Sequence, residues 1–228
     1  MNILGMDTTG TTLSVAISED DLLLSELYID SGKKHSQTLM VAVDNVLRAA
    51  GKDIADIDVF AVCAGPGSFT GIRIGVSACA AMAHAAGKPV AAVSTLDALM
   101  ANAPQDGSIV CAVMDARREE VYTAAKRGTQ TVVGECAMPL KELVTKRLPQ
   151  EKIVFAGDAA LRFEDKIRMY NPHSVFLPPQ FIMQRASSVC AIAYGQAQNG
   201  ALLAYDALCP RYLRESQAER LRKKGSGK

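Results

Sequence analysis

The sequence predicts an α/β protein made of two copies of one βββαβα unit. Strand and helix patterns alternate along the 228 residues, and the same order occurs in both halves. The first strand of each half also ends in an aspartate, Asp7 and Asp115. A chain of this length buries a substantial core. We place an N-terminal lobe at 1–104, a C-terminal lobe at 105–212, and a basic, fraying tail at 213–228.

The first half opens with three strand patterns, MNILGMD, TTLSVAIS and LLLSELYID. A helix is predicted at 36–50, where apolar residues recur on one face and Ser36 can cap the first turn. The run DVFAVCA predicts a buried strand, and residues 69–86 predict a second helix. After the strand PVAAV, a third helix begins with Ser94 and Asp97 in the spacing of a capping box.

The second half repeats this order. Its strands are SIVCAVMDA, EVYTAAK, TVVGECA, KIVFA and HSVFLP, and its helices are PLKELVTKRL, AALRFEDKIRMY and ASSVCAIAYGQAQNG. The fourth strand ends at a glycine in both halves, Gly65 and Gly157. A duplicated unit of this kind is the ground plan of the actin, sugar-kinase and Hsp70 ATPases. We therefore predict an actin-like, Hsp70-like (ASKHA) fold with two lobes.

The turn DTTGTT after the first strand has two interpretations. In the duplicated fold, the turns after the first strands face each other and grip nucleotide phosphates. Hydroxyls, a glycine and successive N–H groups form an anion nest, and an aspartate holds water or a metal. Asp7, Thr8 and Asp115 are the candidate nucleotide-binding residues on this interpretation. The alternative is a routine hairpin turn, which Asp-Thr-Thr-Gly also suits.

The stretch AGPGSFTGIRIG, at 64–75, resembles a phosphate loop only loosely. It lacks the G-x-G-x-x-G spacing of dinucleotide-binding folds and the G-K-[ST] ending of a Walker A loop. Ser68 or Thr70 is placed to cap the helix that follows. Arg73 falls in the first turn, where the helix dipole disfavours a cation, so we expect an acidic partner or an anion beside it.

The helix at 69–86 carries a ridge of small residues at every fourth position, Gly71, Gly75, Cys79 and Ala83. Such a ridge lets another helix approach closely, and its neighbouring rows are apolar as well. A helix that is apolar on nearly every face is buried on nearly every face. The extra cover comes either from a second chain or from the interior of this one.

Composition excludes several classes. The three histidines are far apart in sequence, with no H-x-x-x-H or H-E-x-x-H, so no metal site is predicted. The six cysteines form no C-x-x-C pair and mostly lie in apolar runs, which indicates reduced thiols in a cytoplasmic protein. No apolar run approaches the roughly 20 residues that span a bilayer. The net charge is +1.

The motifs ILGMDTTGTTLSVAI, HSQTL, AGPGSFTGIRIG, VSTLDAL, DARREEVY and PRYLR together resemble the TsaB (YeaZ) family over essentially the whole chain. This resemblance implies a protein of tRNA threonylcarbamoyladenosine biosynthesis at position 37, related to the catalytic subunit TsaD but without its metal-binding histidines. It implies a non-catalytic subunit, not an enzyme, that requires no cofactor; weak binding of an adenine nucleotide is left open.

The resemblance implies that the chain forms a heterodimer with TsaD, or pairs with a second copy of itself when TsaD is absent. It also implies the ATPase TsaE as a partner and a functional link to TsaC. The implied contact with tRNA is indirect, and no membrane is involved. The pairing surface maps onto the first two helices. It comprises Leu39, Met40, Val43, Leu47, Gly71, Ile72, Gly75, Val76, Cys79 and Ala83. A stand-alone actin-like nucleotide hydrolase or small-molecule kinase is the alternative function. A metalloprotease has little support, because no histidine pair exists.

Overall fold

The computed structural model describes residues 1–32 and 34–214. The first half forms a five-stranded mixed sheet in the order β3-β2-β1-β4-β5. Its strands are β1 Asn2–Asp7, β2 Leu13–Glu19, β3 Leu22–Ile29, β4 Val59–Gly65 and β5 Val90–Ser94. Strands β1, β2 and β3 pair antiparallel, whereas β1, β4 and β5 run parallel.

The second half builds a second sheet in the order β8-β7-β6-β9-β10, which repeats the arrangement of the first. Its strands are β6 Ile109–Asp115, β7 Glu120–Arg127, β8 Gln130–Pro139, β9 Ile153–Ala156 and β10 Ser174–Phe176. The parallel and antiparallel pairings are also repeated. The predicted duplicated actin-like α/β fold is therefore confirmed.

The helices lie between these strands in the predicted order. They are α1 His35–Ala49, α2 Phe69–Ala86, α3 Thr95–Ala101, α4 Leu140–Glu142, α5 Asp158–Arg162, α6 Glu164–Tyr170 and α7 Ala186–Gln198. A π-helical turn, Leu143–Arg147, continues α4. The pattern AALRFEDKIRMY, predicted as one helix, is two helices that meet at Phe163.

Two helices cross from one half of the molecule to the other. Helices α1 and α2 cover one face of the first sheet, and α7, from the second half of the chain, covers the opposite face. Helix α3, from the first half, contributes Leu96 and Leu99 to the core of the second sheet. The lobes thus share helices, and the boundary at residue 104 stays a prediction about the sequence.

The helix starts agree only in part with the predicted caps. Ser68 is the N-cap of α2, and its hydroxyl accepts a hydrogen bond from the Gly71 N–H at 3.3 Å. Helix α1 begins one residue before Ser36, after Lys34, and has no side-chain cap. The capping box at Ser94 and Asp97 does not form, because Asp97 is drawn into an ion pair with Lys126 on β7 at 2.6 Å.

The predicted basic tail lies outside the described residues from residue 215 onward. Its first two residues are described and do not fray. Leu213 packs against the second core, and Arg214 pairs with Glu120 at 2.5 Å. In residues 1–32 and 34–214, no helix is both long and apolar enough to cross a membrane.

Candidate functional site

Most of the turn after β1 is buried. Asp7, Thr8, Thr9 and Thr12 are at most 1% exposed, whereas Gly10 is half-buried and Thr11 is exposed. The Asp7 Oδ1 accepts hydrogen bonds from the Thr9 N–H at 2.8 Å and the Thr9 hydroxyl at 2.9 Å, and the Thr8 hydroxyl donates to the Gly71 carbonyl at 2.7 Å. One carboxylate oxygen of Asp7, both hydroxyls and the Thr9 N–H are therefore bonded within the chain.

Helix α2 closes this turn from one side. A Cβ at Gly71 would overlap the Thr8 carbonyl oxygen, and one at Gly75 would lie 2.5 Å from the Thr8 Oγ1. A Cβ at Gly67 would overlap the Thr9 carbonyl oxygen, and the Ser68 N–H donates to that oxygen at 2.7 Å. The ridge of small residues therefore brings α2 onto the chain's own β1 turn. Of the two sources of cover that the sequence left open for this ridge, the structure shows the interior of the chain itself.

Gln184 and His35 close the turn from other directions. Gln184 is fully buried, and a Cβ at Gly10 would lie 2.7 Å from its Nε2. The His35 Nε2 lies 3.0 Å from the Gly10 carbonyl oxygen. Neither residue was predicted as part of the site, because the sequence places both far from the turn; His35 belongs to the motif HSQTL, whereas no motif points to Gln184.

Burial sets the electrostatics of the turn. It raises the pKa of Asp7, and the hydrogen bonds from Cys63 and Thr9 only partly oppose it. Burial also raises the pKa of the Cys63 thiol well above its ordinary value, and the neighbouring Asp7 charge adds to this. The Asp7 Oδ2 has no hydrogen-bond partner among the described residues. Burial penalises the charged form of such a carboxyl, which makes it less suited to hold a cation.

The turn after β6 is different, because it reaches the surface. The Asp115 side chain pairs with Arg162, and its Oδ1 accepts the Arg117 N–H at 2.8 Å. Asp158 follows β9 and accepts the Asp115 N–H at 3.1 Å, and burial raises its pKa. Glu119 pairs with Lys166 on α6. The two candidate turns therefore differ: the acidic residue of the first is buried, and that of the second is ion-paired at the surface.

Among the described residues, Arg73 contacts aromatic side chains and not the acidic partner that its place in the helix predicted. Its guanidinium lies over the Phe69 ring at 3.9 Å, and its Nε donates to the Tyr212 hydroxyl at 3.1 Å. Tyr212 in turn stacks on Phe69, with ring centroids 4.7 Å apart. A cation over an aromatic face is stabilised by the ring quadrupole, which offsets the unfavourable helix dipole.

The closing motif PRYLR spans the two sheets. The Arg211 N–H donates to the carbonyl of Ala64, at the end of β4, at 2.7 Å. Arg211 also pairs with Glu135 on β8 at 3.2 Å, and the Arg214 guanidinium donates to the Ala116 carbonyl at 3.1 Å. The motif fastens the end of α2 that carries Arg73 to the second lobe.

A cavity of about 240 Å³ lies away from both turns. It is lined by Asp97, Met100, Pro104, Lys126 and Ile192, among others, and contains none of the predicted site residues. Lys126 lies near the end of β7 farther from the β6–β7 turn. Among the described residues, no three His, Cys, Asp or Glu side chains are grouped as a metal site would require.

Comparison with known proteins gives the family. The model of the TsaD family, described as tRNA N6-adenosine threonylcarbamoyltransferase, matches residues 29–220. The chain belongs to the TsaD family.

Within the TsaD family, proteins named TsaB are among the similar curated proteins. The Bacillus subtilis tRNA threonylcarbamoyladenosine biosynthesis protein TsaB is 37% identical over 123 residues, and the Escherichia coli TsaB is 35% identical over 126. Each match covers 54% of this chain and 54% of the relative, so the chain spans about half the length of the curated relatives it matches.

Solved structures place the chain beside YeaZ within the TsaD family. YeaZ from Pseudomonas aeruginosa is 26% identical with a TM-score of 0.75, covering 92% of this chain and all of that one. A P. aeruginosa protein described as similar to the peptidase YEAZ is 28% identical, with a TM-score of 0.79 over 93% of this chain and 99% of that one. The resemblance to TsaB (YeaZ) is confirmed.

The surface predicted for pairing in this TsaD-family chain is mostly internal. Met40 is 54% exposed. The other nine predicted interface residues are buried against the chain's own first sheet or β1 turn: Leu39, Val43, Leu47, Gly71, Ile72, Gly75, Val76, Cys79 and Ala83. Their burial corrects the residue choice, because a single amphipathic stripe is used first by the chain's own sheet. The pairing surface itself stays a prediction.

Proposed function

We propose that the chain is a non-catalytic subunit of the assembly that installs threonylcarbamoyl on adenosine 37 of tRNA, where it pairs with TsaD. Its family and the names of its TsaB relatives support the pathway. On this proposal TsaE joins the pair, TsaC supplies the activated threonylcarbamoyl group, and two copies of the chain associate when TsaD is absent.

The packing of the β1 turn is the observation that carries the non-catalytic role. A nucleotide phosphate needs free N–H groups and an accessible acidic residue. Here α2 lies against Thr8 without room for a Cβ, and Asp7 is buried with a raised pKa. The acidic residue of this turn is thus out of reach of a nucleotide. We therefore infer that no cofactor is required and that an adenine nucleotide binds weakly at most.

The outward faces of α1 and α2 supply the surface for TsaD. Met40 and Val41 are 54% and 60% exposed on α1, and Ile74, Ala78 and Met82 are half-buried on α2. These two helices pack against each other at the first sheet. Large exposed apolar side chains on neighbouring helices favour a protein partner over solvent.

The test is co-purification with the TsaD of the same genome, followed by an assay of tRNA modification with and without this chain. Met40→Glu places a charge on the proposed surface and should abolish pairing and modification while the fold is retained. Met169→Glu is the matched control, because Met169 is 68% exposed on α6 of the second lobe. Pairing that survives Met40→Glu and Val41→Glu together would refute this surface.

The alternative is a stand-alone nucleotide hydrolase or kinase. Experiments on the purified chain alone distinguish it from the proposed function. ATP at 100-fold over Kd should stabilise a true ATP-binding protein by about 2.7 kcal/mol. We expect no such rise in melting temperature and no ATP turnover. Steady hydrolysis by the purified chain, lost in Asp115→Asn, would overturn the non-catalytic role.

A further inference from the structure

Charged side chains are unevenly paired around the β6–β7 turn. Four acidic residues there are ion-paired: Asp115 with Arg162, Glu119 with Lys166, Glu120 with Arg214, and Glu135 with Arg211. Asp158, half-buried beside Asp115, accepts the backbone N–H groups of Asp115 and Ala159 instead. Near this turn, three arginines have no ion-pair partner among the described residues: Arg73, Arg117 and Arg118. We call these three the arginine rim. The rim places three cations beside carboxylates that already have partners within the chain.

The chain itself holds the rim together. Tyr212 binds the Arg73 Nε through its hydroxyl at 3.1 Å. Two residues later, Arg214 binds the Ala116 carbonyl at 3.1 Å, next to Arg117. Two residues span at most about 7 Å between Cα atoms. The start of α2 and the β6–β7 turn are therefore neighbours, although their sequence positions are more than 40 apart.

The side chains of the rim are held outward. Arg117, Arg118 and Glu119 all have positive φ, at 67°, 56° and 59°, a conformation that residues other than glycine rarely adopt. Arg117 and Arg118 are exposed, and no side-chain hydrogen bond holds either within the described residues. The Arg73 guanidinium lies over the Phe69 ring, and within the described residues only its Nε donates a hydrogen bond, so both terminal nitrogens remain available as donors. Unusual backbone of this kind clusters at sites that bind or switch.

We propose that the arginine rim binds the phosphate backbone of RNA, with tRNA as the RNA concerned. Guanidinium groups match phosphate oxygens in a planar, two-point geometry and are the preferred side chains for this contact. Phosphate contacts position an RNA without reading its sequence. The choice of tRNA rests on the proposed function; the choice of phosphate rests on the unpaired charges alone.

The test measures binding of an unmodified tRNA transcript by fluorescence anisotropy, using the full chain alone and with TsaD, between 50 and 200 mM salt. For Arg117→Glu with Arg118→Glu, we expect Kd to rise about tenfold or more. The slope of log K against log salt should shrink by about 1.4 to 1.8 if two phosphate contacts are lost. Arg117→Gln with Arg118→Gln removes charge without reversing it, and Arg73→Glu tests the third member separately.

Lys146→Glu with Arg147→Glu is the matched control, since it reverses two adjacent exposed cations that have no ion-pair partner among the described residues. Both lie on the π-helical turn Leu143–Arg147. The preceding helix α4 begins at Leu140, whose N–H donates to the Glu119 carbonyl. The chain then continues to Glu151, which pairs with Arg127 at the other end of β7. Wild-type RNA affinity in the rim variants would overturn the proposal, as would an equal loss in the control. Tighter binding of polyglutamate than of tRNA would overturn it in favour of an acidic protein. Pairing with TsaD is measured for the same variants, so a failure of the proposed function is distinguished from a failure of the proposed RNA binding.

Discussion

Gly71 lies where helix α2 crosses the β1 turn, and the missing side chain there decides the architecture of the site. The Thr8 hydroxyl donates to the Gly71 carbonyl at 2.7 Å, and a Cβ on Gly71 would overlap the Thr8 carbonyl oxygen. The obstacle is backbone, which cannot rotate away as a side-chain end can. The glycine is therefore needed for contact within the chain, where its sequence pattern had suggested contact between chains.

Gly71→Ala should lower the free energy of unfolding by about 1 to 3 kcal/mol, because the added methyl group overpacks a rigid contact. Gly195→Ala is the matched control: Gly195 is also in a helix, and a Cβ there meets nothing within 4 Å. It should stabilise the chain by about 0.4 to 1 kcal/mol. Urea unfolding measures both. A neutral Gly71→Ala would show that α2 shifts freely over the turn.

Asp7→Asn should change the pH dependence of stability. Burial raises the pKa of Asp7 in the folded chain. The contribution of Asp7 to the free energy of unfolding is therefore fully present below the unfolded-state pKa of about 3.9, and it is lost as pH rises through the folded-state pKa. The asparagine keeps an oxygen for Thr9 and does not ionise. The stability of Asp7→Asn relative to wild type should therefore increase from pH 4 to pH 8, measured by urea unfolding.

Asp106→Asn should show the opposite dependence of stability on pH. Hydrogen bonds from Ser108 lower the pKa of the exposed Asp106 to about 2. Its contribution is present above the unfolded pKa and is lost as pH falls toward about 2. The loss of stability of Asp106→Asn relative to wild type should therefore disappear in acid. The same slope in both variants would mean that the folded-state pKa of Asp7 is lowered, as that of Asp106 is, and would contradict the effect of burial.

At the scale of the elements, periodicity was enough to predict the strands and the two long helices. Alternation and 3.6-residue spacing report which face of an element is buried. They do not report what buries it, so the sequence left open whether a second chain or this one covers the ridge of α2, which packs on Thr8. Gln184 and Tyr212 were missed for the same reason, because each reaches its place through a distant part of the chain. The PRYLR motif was the one signal available for Tyr212.

The C-terminal segment acts on the start of α2 through Tyr212. Tyr212→Ala removes the stack on Phe69 and the hydroxyl that holds Arg73, and should lower stability by about 0.5 to 1.5 kcal/mol beyond the lost area. Tyr212→Phe keeps the ring and removes only the hydroxyl, so it should cost about 1 kcal/mol or less. Thermal unfolding of the pair separates the two contributions. Equal losses in both variants would assign the whole effect to the hydroxyl.

At the scale of the whole molecule, the exchange of helices ties the lobes together. Helix α7 lies on the first sheet although its sequence belongs to the second half, and α3 does the converse. The segment at Arg211 and Arg214 adds a third connection. An actin-like nucleotide hydrolase relies on lobes that move about its ligand; this arrangement favours a rigid body that presents fixed surfaces to partners.

Leu99→Ala tests this coupling. Leu99 lies on α3, is fully buried, and fills the core of the second sheet. Its truncation should cost about 2 to 5 kcal/mol. Because the helices are shared, native-state hydrogen exchange should show amides of β1 and β6 losing protection together and by the same free energy. Leu161 is exposed on α5, and Leu161→Ala should change the free energies of protection of β1 and β6 by no more than about 0.5 kcal/mol. If only β6 loses protection, the lobes unfold independently and α3 does not couple them.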